Sequence, residues 1–248
     1  MKEEFDEKKL PTGLYVVSTP IGNLGDITRH ALEVLTKADA IACEDTRRTG
    51  LLLIHFKIKN RLISYHEYNK LRRTQEILNL LKEGKVIALV SDAGTPGISD
   101  PGFYLIREAI EQGFRVFPIP GASALLAALV VSGLPSNRFA FEGFLPKRAG
   151  RRQKRLKALT HEPRTMIFCE SALRVRKLIE EMKTLWGERK AVLCRELTKK
   201  FEEVIRGTFS EILEAIRTRN LKGEIVVVVA GTGGRLETIY EKKDEGSR

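Results

Sequence analysis

The stretch best suited to hold a ligand is SDAGTPGISDPG, residues 91 to 102, which directly follows the apolar run VIALV. Open α/β sheets bind ligands beyond the carboxyl ends of their strands, and glycines there let backbone amides approach a ligand with no Cβ in the way. Asp92, early in this loop, is placed to contact a ligand amine or a ribose hydroxyl, with Gly94 and Ile98 beside it. A plain surface turn needs neither two acids nor three glycines.

A second loop, TPIGNLGDIT, follows the run LYVVS and carries Pro20, Ile21 and Gly22. Its glycines do not match GxGxxG, and no GxxxxGK[ST] occurs in the chain, which argues against a nicotinamide dinucleotide or a nucleoside triphosphate. Asp26 and Thr28 read better as helix caps than as ligand contacts. Ser123, in PIPGASALLAAL, is by itself an ordinary N-cap. After the run AIAC come Glu44, Asp45, Thr46, Arg47 and Arg48, acids and bases emerging together at a strand end. The competing reading of those five is a solvated loop with local ion pairs.

The elements that must position these loops alternate. Short β-rich runs and longer amphipathic ones follow each other from Leu14 almost to the end, the pattern of an α/β sheet with parallel strand pairs. The expected organisation is a charged extension over 1–12, an α/β domain over 13–121, a second α/β domain over 122–234 and a flexible tail over 235–248. ASALLAALVVSG reads as a buried helix, and a further helix is expected from about Ser171 to Leu185. AVLCREL and EEVIRGTF are joined by a short polar stretch, so part of the second sheet is expected to be antiparallel.

Lys and Arg outnumber Asp and Glu 43 to 32, a net charge of +11 that suits a polyanionic partner. The basic residues concentrate in PKRAGRRQKRLK, which holds Lys147, Arg148, Arg151, Arg152, Lys154, Arg155 and Lys157 and no acid. Such density neutralises phosphates, and Lys147, Arg148, Arg151, Arg152, Lys154 and Arg155 are the expected RNA contacts. Nearby Phe139, Phe141 and Phe144 offer faces for an extruded base, but the alternation in FAFEGF favours packing in the core. Cys43, Cys169 and Cys194 sit in apolar runs and suit neither a disulfide framework nor a CxxC site. The histidines show no metal-ligand spacing, so no metal is expected. A charged N-terminus and the lack of a long apolar run lead to the expectation of a cytoplasmic protein.

Taken together, STPIGNLGDIT, ACEDTRRTG, SDAGTPGISDPG, PIPGASA and FEGFLPKRAGRR, extended by RELTKKFEE and KGEIVVVVAG, resemble the tetrapyrrole methylase superfamily over about residues 13 to 231. The resemblance implies a class III methyltransferase fold, two α/β domains with S-adenosylmethionine in the cleft between them. It implies cofactor contacts from Pro20, Ile21, Gly22, Asp92, Gly94, Ile98, Ser123 and Ala124, and from Phe168, Cys169, Leu197, Lys222 and Gly223 in the second domain.

Within the superfamily the wording is nearest to the branch that methylates a cytidine ribose 2′-hydroxyl in small-subunit ribosomal RNA. Members acting on corrin rings carry GDP where Ser91, Asp92 and Ala93 stand, a departure that weighs against a tetrapyrrole substrate. The superfamily also implies a homodimer. Transfer of a methyl group to a ribose oxygen needs positioning first, then help with the hydroxyl proton. Glu44, Asp45 and Arg47 are the expected catalytic residues, with Lys199 and His66 as alternatives. A non-catalytic ribosome-binding factor would use the same basic surface without binding a cofactor.

Overall fold

The computed structural model describes residues 9–233. The extension up to Lys8 and the tail expected over 235–248 lie outside the described residues. Two compact units divide between Ser123 and Ala124.

The first unit runs β1 (Gly13–Val17), α1 (Arg29–Lys37), β2 (Ala40–Cys43), α2 (Thr46–His55), β3 (Leu62–Ser64), α3 (Lys70–Lys82), β4 (Val86–Val90), α4 (Phe103–Glu111) and β5 (Val116–Ile119). Its strands form one parallel sheet in the order β3-β2-β4-β1-β5. AIAC and VIALV are buried at every position, because a parallel sheet is covered on both faces and leaves no side of a central strand to water. One face packs Val17, Val34, Leu35 and Ile41, and the other packs Leu14, Ile63, Ile77 and Leu105. Pro118 is tolerated because β5 is an edge strand, where a missing N–H breaks no central ladder.

The second unit runs α5 (Ala124–Ser132), β6 (Phe139–Phe144), α6 (Ala149–Ala158), β7 (Thr165–Ser171), α7 (Val175–Trp186), β8 (Lys190–Arg195), β9 (Glu203–Thr208), α8 (Phe209–Ala215) and β10 (Glu224–Val229). Its sheet has the order β6-β7-β10-β8-β9, parallel between β6 and β7 and antiparallel elsewhere. The β8–β9 pair is the antiparallel element expected from the short connection. Leu156, Phe168, Leu178, Leu193, Phe209 and Val227 form the core beneath α6, α7 and α8.

Four expectations are corrected. The residues after Asp45 are the first turn of α2, not a loop, since Asp45 accepts the Arg47 N–H as an N-cap. The basic segment, expected in the region that joins the two domains, lies inside the second unit, where its residues from Ala149 on form α6. The helix expected from Ser171 starts at Val175, because Ser171 still pairs with Glu224 in the sheet. The apolar run after Gly121 is helical, but α5 buries only Ala128, Leu129 and Ser132 and leaves Val130 73% exposed.

Candidate active site

In the first unit the parallel arrangement puts the carboxyl ends of β1, β2 and β4 side by side, so the loops after them meet. Asp92, following β4, accepts the backbone N–H of Asp45 at 3.1 Å and faces the Arg48 guanidinium at 3.4 Å. The loop after β1 is tied to the loop after β4 by reciprocal backbone bonds between Thr19 and Gly94 at 2.9 and 3.0 Å. Ser18 and Thr95 add a hydroxyl pair at 2.9 Å, and the Thr19 hydroxyl donates to the Ser91 carbonyl at 3.2 Å. Ile21 is buried under this junction, while Ile98 is exposed. Thr28 caps α1 by accepting the Ala31 N–H at 3.1 Å, as its position suggested. Asp26 caps nothing; Asn23 performs that role for the short turn at Leu24–Asp26.

The three residues expected to be catalytic divide. Asp45 accepts Arg47 three times, from its N–H at 2.9 Å and its guanidinium at 3.1 and 2.7 Å. Those bonds, with the Arg47 side chain contributing most, hold the Asp45 carboxyl well below the usual carboxylate range, so it is a helix cap and a poor proton acceptor. Arg47 is committed to the same pair. Glu44 stands apart: burial, and then the negative charge of Asp92, push its carboxyl up, the direction expected of a general base tuned toward neutral pH.

His66 lies within electrostatic reach of Glu44 and has its Nε2 3.0 Å from the Asn69 amide nitrogen. That amide is oriented by its other contacts, accepting the His66 backbone N–H at 2.9 Å and donating to the Ser64 carbonyl at 3.2 Å. Nε2 therefore faces an amide N–H donor, while Nδ1 is buried with no hydrogen-bond partner among the described residues.

In the second unit the antiparallel pairing of β10 with both β7 and β8 collects one end of the sheet. Cys169 pairs with Val226, and Val226 with Cys194, so the residues after Cys169, those after Arg195 and those before Glu224 share that end. Phe168 points into the core and offers only its backbone, Cys169 is half-buried, and Leu197 is buried. Leu197 is flanked by Glu196 and Thr198, both in the left-handed region at φ 49° and 64°. Such strained pairs persist where surrounding contacts over-determine them, often beside ligands.

The Glu196 carboxylate supplies those contacts, accepting the Lys199 ammonium at 3.0 Å and the Glu224 N–H at 2.9 Å. Gly223 has φ 94°, and a Cβ there would fall 2.4 Å from the Glu196 carboxylate. Lys199 also binds Glu224 at 3.0 Å, so its charge is engaged by two carboxylates and it is corrected from catalytic alternative to structural tie. Glu196 went unnoticed in the sequence because only Lys199, three residues on, is a local partner; the Glu224 N–H that completes the arrangement comes from β10.

The basic helix also divides. Arg152, expected to contact phosphate, is only 7% exposed. It forms a two-pronged pair with Glu181 at 2.6 and 2.7 Å and donates to the Lys147 carbonyl at 3.0 Å. It holds α6 on α7, and is corrected to a packing residue. Arg155 makes a similar pair with Glu142 at 2.8 and 2.9 Å. Lys147, Arg148, Arg151, Lys154 and Lys157 are exposed. No acid lies within the segment, so only the fold could show which of its cations are taken. The aromatic alternation fails too: Phe139 and Phe141 are half-buried and Phe144 is exposed.

The family model described as Tetrapyrrole (Corrin/Porphyrin) Methylases matches residues 13–213. The protein named ribosomal RNA small subunit methyltransferase I from Escherichia coli O157:H7 is 50% identical over 234 residues, 93% of this chain and 82% of that one. Its namesake from Halalkalibacterium halodurans is 47% identical over 236 residues, 95% of this chain and 82% of that one. Among solved structures, uroporphyrin-III C-methyltransferase from Thermus thermophilus complexed with S-adenosyl homocysteine shares the fold, with a TM-score of 0.59, 18% identity, and coverage of 90% of this chain and 99% of that one.

Proposed function

The chain belongs to the tetrapyrrole methylase family, and from that premise we propose that it transfers a methyl group from S-adenosylmethionine to a cytidine ribose 2′-hydroxyl of small-subunit ribosomal RNA. The observation that carries the reading is the near-full-length likeness to ribosomal RNA small subunit methyltransferases, joined to a basic helix whose outer cations are exposed.

The residues fit the cofactor chemically. Its sulfonium and amino groups are cationic, and the end of the first sheet presents Glu44 and Asp92. Pro20, Ile21, Gly22, Asp92, Gly94, Ile98 and Ser123 in the first unit, and Ala124, Phe168, Cys169, Leu197, Lys222 and Gly223 in the second, are the proposed contacts. When bound, the sulfonium supplies the methyl group and keeps the electron pair of the broken C–S bond. Glu44 takes the proton of the attacking hydroxyl, which its raised proton affinity favours. Asp92 holds the loop after β2 by the Asp45 N–H and so keeps Glu44 in place. Lys147, Arg148, Arg151 and Lys154 bind phosphate.

Exposed apolar residues, Leu51 and Ile54 on α2 and Leu126 and Val130 on α5, support a homodimer, which light scattering at micromolar concentration tests. The function itself is tested by incubating small ribosomal subunits with a methyl-labelled cofactor and mapping the label. A label on a cytidine ribose is expected. A label elsewhere, or none, rejects the assignment.

A further inference from the structure

Phe144 is 59% exposed, an unusual place for a phenylalanine at the end of a strand. The cause is a register break in β6. Phe141 pairs with Ile167 and Gly143 with Phe168, so two steps along β6 match one step along β7 and Glu142 is the extra residue. Gly143 adopts φ 59°, a left-handed conformation that glycine takes without strain. One extra residue reverses which side chains face the core. Ala140 is buried before the break, Gly143 and Leu145 are buried after it, and Phe144 is turned out.

Two neighbours give that outward ring a use. In the β6–β7 register Phe144 pairs with Cys169, so it stands beside the strand end proposed to contact the cofactor. On its carboxyl side the chain runs through the buried anchor Leu145 into exposed Lys147, Arg148 and Arg151. An exposed aromatic next to a row of cations is the combination that binds single-stranded nucleic acid, the cations tracking phosphates while the ring stacks a base.

We propose that Phe144 stacks against an unpaired nucleobase of the RNA substrate, holding that nucleotide beside the methyl-donor site while the flanking cations bind its phosphates. The inference rests on the RNA reading above and deepens it by naming the residue that takes the base. Phe144 here is a positioning residue for substrate and has no part in proton transfer.

The test separates stacking from charge. Binding of a fluorescently labelled, cytidine-rich single-stranded RNA oligonucleotide is followed by anisotropy across a salt series for wild type, Phe144→Ala, Phe144→Trp and the triple variant Lys147→Ala/Arg151→Ala/Lys154→Ala. Phe144→Ala is expected to weaken binding by about 5- to 150-fold, the range for one lost base stack, with the log–log salt slope unchanged, because an aromatic ring releases no counterions. Phe144→Trp is expected to restore binding. The triple variant lowers the slope instead. All four proteins are expected to melt at the same temperature.

Phe144→Ala binding like wild type, or losing affinity together with the salt slope or the melting temperature, overturns the stacking role. If wild type methylates small-subunit RNA in that case, the RNA reading survives alone. If wild type neither binds the oligonucleotide nor methylates the subunit, the RNA reading fails and the stack fails with it.

Discussion

Asp92, at the end of β4, accepts the backbone N–H of Asp45, at the end of β2, across 3.1 Å. A single carboxylate thus fixes the spacing of two loops from neighbouring parallel strands, and one of those loops begins with Glu44. The Asp92→Ala variant loses this bond and the negative charge beside the proposed ligand. Cofactor affinity by calorimetry is expected to fall at least tenfold, with stability lowered by about 1 kcal/mol, the size of one hydrogen bond. Unchanged affinity in the folded variant would remove Asp92 from the cofactor site.

Glu44 and Asp45 are adjacent carboxylates with opposite fates. Glu44 is pushed up by burial and by Asp92, so wild-type turnover is expected to rise with pH as Glu44 loses its proton. Glu44→Gln is expected to lower turnover by about 10² to 10⁴-fold and to abolish that rising limb. Asp45→Asn keeps an N-cap acceptor for α2 and is expected to retain most turnover, since the Asp45 carboxyl is already held low by Arg47. A pH–rate profile for each variant distinguishes the roles.

The Arg152–Glu181 pair, with side chains only 8% and 13% exposed, joins α6 to α7. Removing one partner leaves a buried charge, and Arg152→Ala is expected to cost about 3 kcal/mol. The Arg152 hydrogen bond is the largest cause lowering the Glu181 carboxyl. A carboxylate lowered on folding stabilises above its unfolded pKa, and that contribution is lost as pH falls through the folded value. Denaturant melts at neutral and acid pH should therefore show that the variant has lost part of the wild-type acid sensitivity. Replacing exposed Arg151 should leave the melts within about 0.5 kcal/mol of wild type.

Gly223→Ala puts a Cβ 2.4 Å from the Glu196 carboxylate, at a backbone φ of 94° that disfavours any side chain. The Glu196 side chain must swing aside, and its contact to the Glu224 N–H, next to Leu197 in the chain, is broken. Thermal melting is expected to drop and cofactor affinity to fall together. A variant that melts lower yet binds S-adenosylmethionine normally would show that this turn serves the fold alone.

The alternation of elements and the parallel first sheet were legible in the sequence, because period-two and period-3.6 patterns are local and VIALV or AIAC has one stable use in a sheet covered on both faces. The family was legible for a related reason: loops after strands carry their motifs as contiguous residues, and the family model matches residues 13–213. Helix α2 was not, since its start depends on Asp45 capping its own backbone amid residues that read equally well as a charged loop.

The fate of individual charges and rings was decided only by the tertiary structure. Arg152 and Arg155 read like their neighbours until Glu181 and Glu142 arrive from other elements. Phe144 reads as core until one extra residue in β6 reverses the alternation. Local sequence carries propensity and motif; whether a cation is free or a ring exposed depends on partners brought close by chain segments far apart.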